Sequence, residues 1–299
     1  MSNKADIVRF IINPISGIGK QKMLEKLIPK IKHKRFQAEI VYTQYPGHAR
    51  ELAAQAVAQG ISTICVAGGD GSVHEAASSI MNSNSRLAII PTGSGNGIAR
   101  HYGIPLQPEK ALELLVGGKT QATDVGHINQ FPFFGFAGVG FDAHIAHEFA
   151  KIGKRGFKGY FQAVSREFGK YKPATIYLNH EKGKEDVAPF VLTFTNVSQY
   201  GNGFRIDAQA NPCDGLLAAC MIDQVNWMNF PIMALQARRG KLSKNVRFRR
   251  IEGAHFEIPL LENPRIHVDG EPVTLDSKSV KISISAGALQ ILVPKGFCG

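Results

Sequence analysis

Ile64-Cys65-Val66-Ala67-Gly68-Gly69-Asp70-Gly71-Ser72-Val73 is an apolar run that ends in two glycines, an acid, a third glycine and a helix start. Continuous rather than alternating apolar residues are what a strand of a parallel sheet, buried on both faces, requires. The same unit recurs on either side. Val8 to Ile12 is an apolar run that stops at Asn13-Pro14, Ala38 to Tyr42 reads as a second strand, and Leu87 to Ile90 as a fourth. Between them Leu24, Leu27, Ile28 and Ile31 fall on one helical face, with Pro29 expected to kink it. Ala49, Leu52, Ala53, Ala56 and Val57 mark a second helix closed by Gly60, and Val73 to Met81 a third. Strands alternating with helices in this way predict an α/β domain with a parallel sheet covered on both faces.

The pattern changes after about Thr120. Segments 175–179, 187–196, 216–222, 246–251, 255–258 and 265–268 are strand-like and joined by Gly, Pro, Asn and Asp. Val280, Ile282 and Ile284 alternate with polar residues, and Leu289, Ile291 and Val293 alternate again. A basic helical stretch from about Asp142 to Tyr171 interrupts an otherwise antiparallel β half. No repeat or low-complexity linker separates the two, so the change of pattern marks the boundary. The expected division is 1–122 against 123–286.

With 299 residues, 44% of them apolar and a fifth charged, the chain has material for a substantial core, and intrinsic disorder is excluded. Cys65, Cys213, Cys220 and Cys298 form no CxxC pair, which suits a reduced intracellular protein. MSNKADIVRF lacks the apolar core of a signal peptide. Phe131 to Phe141, the longest apolar stretch, contains three glycines and is too short to span a bilayer. A cytoplasmic protein is expected. Its formal charge of +11 suggests an anionic partner: a nucleotide, a nucleic acid or a membrane surface.

Two glycine loops carry the chemistry. Gly68-Gly69-Asp70-Gly71-Ser72 follows the third strand, and Pro91-Thr92-Gly93-Ser94-Gly95-Asn96-Gly97 follows the fourth. Both lie at carboxyl ends of parallel strands, where open α/β sheets bind ligands, and glycines let free backbone amides reach a phosphate. An isolated Gly-Gly loop is as often a plain tight turn. Two on adjacent strands, with an acid inside the first, favour phosphate binding. Neither is a Walker A loop, and the first lacks GxGxxG spacing. Asp70 in its loop could hold a Mg²⁺ that bridges nucleotide phosphates.

Gly68-Gly69-Asp70-Gly71-Ser72 with Glu75 resembles the GGDGT-x-x-E element of the diacylglycerol kinase catalytic domain family, which includes sphingosine kinases and bacterial lipid kinases. Asn13-Pro14-Ile15-Ser16-Gly17 resembles its NPxSG turn, Thr43 with Gly47-His48-Ala49 its T…GHA element, and Pro91 to Arg100 its P-x-G-[ST]-x-N-x-x-A-R loop. Asp124-Val125-Gly126, Gly138-Val139-Gly140-Phe141-Asp142, Asp214-Gly215-Leu216 and Asp269-Gly270-Glu271 follow in the family's order. The resemblance implies a Rossmann-like three-layer domain and a C-terminal antiparallel β-sandwich, an NAD kinase/diacylglycerol kinase-like fold with ATP between its domains. It also implies that a last segment, about 287–299, returns to the first domain.

Carried over by position, the resemblance implies nucleotide contacts at Asn13, Ser16, Thr43, Gly68, Gly69, Asp70, Gly71, Ser72, Glu75, Ser94 and Asn96. It implies a general base at Glu271, and a structural Mg²⁺ held by Asp214 with backbone carbonyls of Asn211 and Leu216. The chain departs from many diacylglycerol kinases at Gly97, where they carry Asp after the Asn, and this bears on the acceptor. The implied reaction is transfer of the γ-phosphate of ATP to a lipid hydroxyl, such as that of a diacylglycerol or sphingoid base. Which of Glu271 and Asp70 takes the proton stays open, as does the identity of the lipid.

Residue by residue, plainer readings stand beside these. Val268-Asp269-Gly270-Glu271 is a good hairpin turn, and Asn211-Pro212-Cys213-Asp214-Gly215 is rich in turn formers. His48 reads as lining the start of the second helix, and His74 as bonding within its own. Lys151 to Arg155 with Lys158, Arg238-Arg239 and Arg247 to Arg250 cluster in the second half, whereas Lys30 to Arg35 reads as a solvated helix end. These clusters point to an anionic membrane surface, the chain being peripheral to the inner face of the membrane. Nucleic acid is not expected, because no basic stripe is interleaved with stacking aromatics. A homodimer is left open. The alternatives are an NAD kinase-like enzyme, whose loop also carries GGDG, and a non-catalytic nucleotide- or lipid-binding regulator.

Overall fold

The computed structural model describes residues 6–17, 20–31, 36–152, 157–262 and 265–297. By its internal contacts the chain divides into two compact units, Met1–Thr123 with Gly287–Gly299, and Asp124–Ala286.

The first unit runs β1 (Asp6–Ile12), α1 (Lys20–Leu27), β2 (Phe36–Tyr42), α2 (His48–Ala58), β3 (Thr63–Gly68), α3 (Asp70–Ile80), β4 (Arg86–Pro91), α4 (Gly97–His101) and α5 (Pro108–Gly117), and enters β5 (Lys119–Ile128). β1 pairs in parallel with both β2 and β3, and β3 pairs in parallel with β4, so the order is β2-β1-β3-β4. All six residues of β3 are buried, as its continuous apolar sequence requires. Pro29 ends α1 rather than bending it: the helix stops at Leu27 and a 3-10 turn, Ile28–Lys30, follows. Gly60, at φ +72°, closes α2 in the left-handed region that a side chain disfavours.

The second unit contains β6 (Phe131–Phe133), β7 (Phe136–Gly140), α6 (Phe141–Ile152), α7 (Phe157–Glu167), β8 (Ile176–His180), β9 (Gly183–Val187), β10 (Val191–Thr195), β11 (Gln199–Gly201), β12 (Phe204–Arg205), β13 (Leu217–Ile222), α8 (Phe230–Arg238), β14 (Phe248–Gly253), β15 (His255–Ile258), β16 (Arg265–Val268) and β17 (Glu271–Thr274). It ends in β18 (Val280–Val293), whose last residues belong to the first unit. One antiparallel sheet has the order β14-β13-β10-β7-β16-β17, and a second runs from the first half of β18 through β15 and β8 to β9. Leu192, Phe194, Met221 and Ile266 of the one sheet share a buried cluster with Leu178, Phe256, Ile258 and Ile282 of the other. That shared core makes the unit a β-sandwich.

The fold class is the one the sequence predicts, with local differences. α3 begins at Asp70 and not at Val73, so Asp70, Gly71 and Ser72 form its first turn rather than a loop. The two alternating segments near the end are one 14-residue strand, β18, whose Gln290 and Ile291 pair in parallel with Arg86 and Leu87 of β4. Cys65 and Cys220 are buried and Cys213 half-buried, all as free thiols, while Cys298 lies outside the described residues. So do Lys32 to Arg35 of the first basic run and Gly153 to Arg155 of the second. No helix among the described residues is long and apolar enough to cross a membrane.

Candidate functional site

The order β2-β1-β3-β4 fixes where a ligand belongs. From β1 the chain turns towards β2, and from β3 it turns the other way, towards β4. The loops leaving β1 and β3 therefore diverge, and a crevice opens between their carboxyl ends. Asn13 leaves β1 there, its amide donating to the Ala67 carbonyl of β3 at 2.9 Å. Its side-chain Nδ2 donates to Ser72 Oγ, 2.9 Å away in the first turn of α3. Thr92 Oγ1 of the next loop donates to Ser16 Oγ at 3.0 Å, and the Thr92 amide bonds the Gly68 carbonyl at 3.0 Å. Asp70 Oδ1 accepts the Ile98 amide at 3.2 Å. Three loops read separately in the sequence are thus held as one surface.

The glycines explain how the loops come so close. A Cβ on Gly93 would lie 2.5 Å from Gly69 Cα and 3.0 Å from Asn96 Oδ1. A Cβ on Gly68 would lie 2.5 Å from Ser72 Cβ, and one on Gly17 would lie 2.5 Å from the Thr92 carbonyl oxygen. α3 starts from Gly69 with no side-chain cap, and its first turn stands at the positive end of the helix dipole. Asn96 holds its loop in the left-handed region at φ 52° and donates from Nδ2 to the Gly93 carbonyl, leaving Oδ1 buried without a partner. A buried acceptor without a donor, beside uncapped helix amides, suits a bound polar ligand. Thr43 is buried after β2, with its amide on the Ile12 carbonyl at 3.0 Å, while Ser94 is exposed at its loop tip.

Glu75 has a different task from the loops around it. Its two carboxylate oxygens accept the amides of Gly47 and Ala49, at 2.9 and 3.2 Å, and so cap the start of α2 from α3. His48 accepts the Gln44 amide on Nδ1 at 3.1 Å and stacks on Tyr45. Sequence reading missed Lys20, whose Nζ lies 3.4 Å from the Thr92 carbonyl, and Arg100, whose Nε donates to the Gly95 carbonyl at 3.0 Å. Arg100 was visible at the end of the PTGSGNGIAR motif. Lys20 carried no signal.

The remaining candidates lie in the second unit. Val268 and Glu271 are partners across the β16–β17 hairpin, whose central residues Asp269 and Gly270 both have positive φ, at 49° and 88°. The turn is tied down from outside. Asp269 accepts the amides of Phe134, Gly135 and Phe136 at 2.9, 2.7 and 2.9 Å. Glu271 itself is exposed. Beside it in β16, buried His267 meets Asp142 Oδ2 at 2.9 Å, and Tyr200 donates to the same oxygen at 3.2 Å. Burial and the Asp142 carboxylate push the Tyr171 phenol up to about 12.

Asp214 is exposed, with Oδ1 accepting the Leu216 amide at 3.0 Å, and Asn211 Oδ1 accepts the Cys213 amide at 3.0 Å. Asp124 braces this loop by accepting the Gly215 amide at 2.8 Å. A carboxylate joined by backbone carbonyls would be a hard-oxygen set of the kind Mg²⁺ accepts. Among the described residues no three His, Cys, Asp or Glu side chains gather as a metal site. A cation at Asp70 or Asp214 would therefore need carbonyls, phosphate or water to complete its shell.

Residues 7–128 match the family described as Diacylglycerol kinase catalytic domain, and residues 135–293 match the YegS C-terminal NAD kinase beta sandwich-like domain. The chain belongs to the diacylglycerol kinase and YegS-like lipid kinase family. It is 30% identical over 308 aligned positions to a diacylglycerol kinase of Mycobacterium tuberculosis, covering 96% of this chain and 95% of that one. A Pseudomonas aeruginosa chain named "Probable lipid kinase YegS-like" is 28% identical, covering 84% of this chain and 82% of its own. The crystal structure of a diacylglycerol kinase from Bacillus anthracis superposes with a TM-score of 0.76 at 20% identity, over 99% of both chains. At that identity it supports the shared fold alone.

Proposed function

We propose that this chain is an ATP-dependent lipid kinase that transfers the γ-phosphate of ATP to the hydroxyl of a lipid such as diacylglycerol or a sphingoid base. The Asn13–Ser72 bond between the ends of β1 and β3 carries the reading, because it ties the Asn13–Gly17 turn to the first turn of α3 where a doubly wound sheet takes its ligand. Asn13, Ser16, Thr43, Gly68, Gly69, Gly71, Ser72, Ser94 and Asn96 are assigned to the nucleotide, with Glu75 supporting α2 behind them. Phosphoryl transfer needs positioning and neutralised charge more than covalent help. Amides of the first turn of α3 would donate to phosphate oxygens, and Asp70 would hold a Mg²⁺. When bound, that ion neutralises charge on the phosphates.

Glu271 is assigned as general base. Its carboxylate takes the proton as the acceptor oxygen bonds to the γ-phosphorus, while the bond to the bridging oxygen breaks and ADP departs. Asp214, with the carbonyls of Asn211 and Leu216, is assigned to a structural Mg²⁺. The lipid would be met at the cytoplasmic face of an anionic membrane, by a peripheral protein.

The test is transfer of labelled γ-phosphate to a panel of diacylglycerol, monoacylglycerol, phosphatidylglycerol, sphingosine and ceramide. Transfer to none of them, with ATP binding intact, overturns the proposal. NADP formation when NAD is supplied as the acceptor in place of lipid would favour the NAD kinase reading, which the sandwich-domain match makes the relevant alternative.

A further inference from the structure

Among the described residues, five of the thirteen large apolar side chains that solvent reaches fall between Trp227 and Val246, all in the second unit. Trp227 is 55% exposed, Met228 87%, Ile232 59%, Leu235 48% and Val246 91%. Met228, Ile232, Leu235 and Arg239 follow one another at intervals of four, three and four, which aligns them on one face of α8 and its approach. The opposite face is used in the ordinary way: Met233 and Ala237 pack into the buried cluster around Cys220 and Ile222. From Phe230 to Ala237 the helix has no charged residue, so it is apolar towards solvent as well as towards the core. A solvated helix places Lys and Glu on that outer face.

The charges come immediately afterwards. Arg238, Arg239, Lys241 and Lys244 are exposed and have no ion-pair partner among the described residues. Arg249, by contrast, is drawn to Asp223 and Glu185 at 3.3 and 3.1 Å. An outward apolar stripe, an exposed tryptophan and unpaired cations at one end are the parts of a helix that lies in a membrane interface. A nucleic acid would use the cations and leave the stripe in water. An apolar protein groove would use the stripe and leave the cations unmatched. An anionic bilayer uses both.

We propose that the Trp227–Lys244 segment is the membrane-docking face of this protein, with Met228, Ile232 and Leu235 entering the acyl boundary and Arg238, Arg239, Lys241 and Lys244 meeting anionic headgroups. The inference rests on the lipid-kinase reading for its choice of partner and names the surface through which the membrane is approached.

Trp227 is the one tryptophan of the chain, so its emission reports on this face without any engineering. The full chain is titrated with phosphatidylcholine vesicles and with vesicles containing one quarter phosphatidylglycerol, with and without brominated acyl chains. The anionic vesicles should shift the emission to the blue, and bromine should quench it. The double variant Ile232→Glu/Leu235→Glu should bind at least about tenfold more weakly, and Arg238→Gln and Arg239→Gln about fivefold each. Unshifted emission with anionic vesicles overturns the proposal, as does undiminished binding by a folded double variant. An emission shift that follows protein concentration without vesicles, and is lost in the double variant, would assign the face to a second copy of the chain and overturn it too. If the double variant does not fold, bromine quenching of the wild type decides alone. Binding is read without turnover. A chain that docks but phosphorylates no lipid keeps this face and loses the kinase reading, and one that phosphorylates a short-chain soluble lipid while Trp227 stays unmoved does the reverse.

Discussion

Asp70 Oδ1 accepts the amide of Ile98 at 3.2 Å, so an acid in the first turn of α3 also holds the start of α4. Charge and scaffold are therefore separable at this position. Asp70→Asn keeps an oxygen that can accept from Ile98 while removing the negative charge. Its melting temperature should stay within a few degrees of wild type, and kcat for phosphoryl transfer should fall by about a hundredfold to a thousandfold or more. A wild-type rate would remove Asp70 from the chemistry.

Gly93→Ala puts a methyl group 2.5 Å from Gly69 Cα, a contact between two backbones that no rotamer change relieves. The loops must move apart. Urea unfolding should show a loss of about 1–3 kcal/mol. ATP affinity by titration calorimetry should fall at least about tenfold, the larger effect on function marking this contact as part of the nucleotide surface.

Asp269→Ala leaves the amides of Phe134, Gly135 and Phe136 without their acceptor, and Phe134 and Gly135 are buried. A destabilisation of about 2–4 kcal/mol is expected, since each stranded buried donor costs about 1–3 kcal/mol and some will find water. Glu271 is held by the same hairpin, so kcat should drop while KM for ATP stays near its starting value.

Burial, partly countered by a hydrogen bond to the backbone of Val125, holds the His127 imidazole below its ordinary pKa. The unfolded chain takes up this proton near about pH 6.5, and the folded one only at lower pH. Between those two values the unfolded state binds more protons, so stability falls as pH drops below about 6.5 and levels off beneath the folded pKa. Urea midpoints measured between about pH 7.5 and 5 should show this decline, and His127→Gln should flatten part of it.

The sequence disclosed the first sheet well because β1, β3 and β4 are buried on both faces and therefore read as uninterrupted apolar runs. The start of α3 was misread because Gly-Asp-Gly is turn chemistry in isolation. Only packing of the first turn against the neighbouring loops makes it helical. β18 was read as two pieces because Ala286-Gly287-Ala288 breaks the alternation, with Gly287 at φ +62°. α8 escaped notice because it lacks a polar face, the same property that makes it unusual on the surface. In the candidate site the motif residues were legible and their ties were not. The partner of Asp269 at Gly135 lies 134 positions away, and no local pattern encodes such a bond.

β18 gives its first half to the sandwich and its last residues to β4, so the parallel sheet is completed by residues that follow the whole second unit in the chain. Until Gln290 leaves the ribosome, β4 presents an unpaired edge while the whole second unit is made. A fragment ending at Thr123 would keep that edge permanently and should self-associate, however sound its core. The glycine loops of the first unit and the sandwich thus cannot be divided at the boundary between them, and a separable first half would have to carry the end of β18 as a graft.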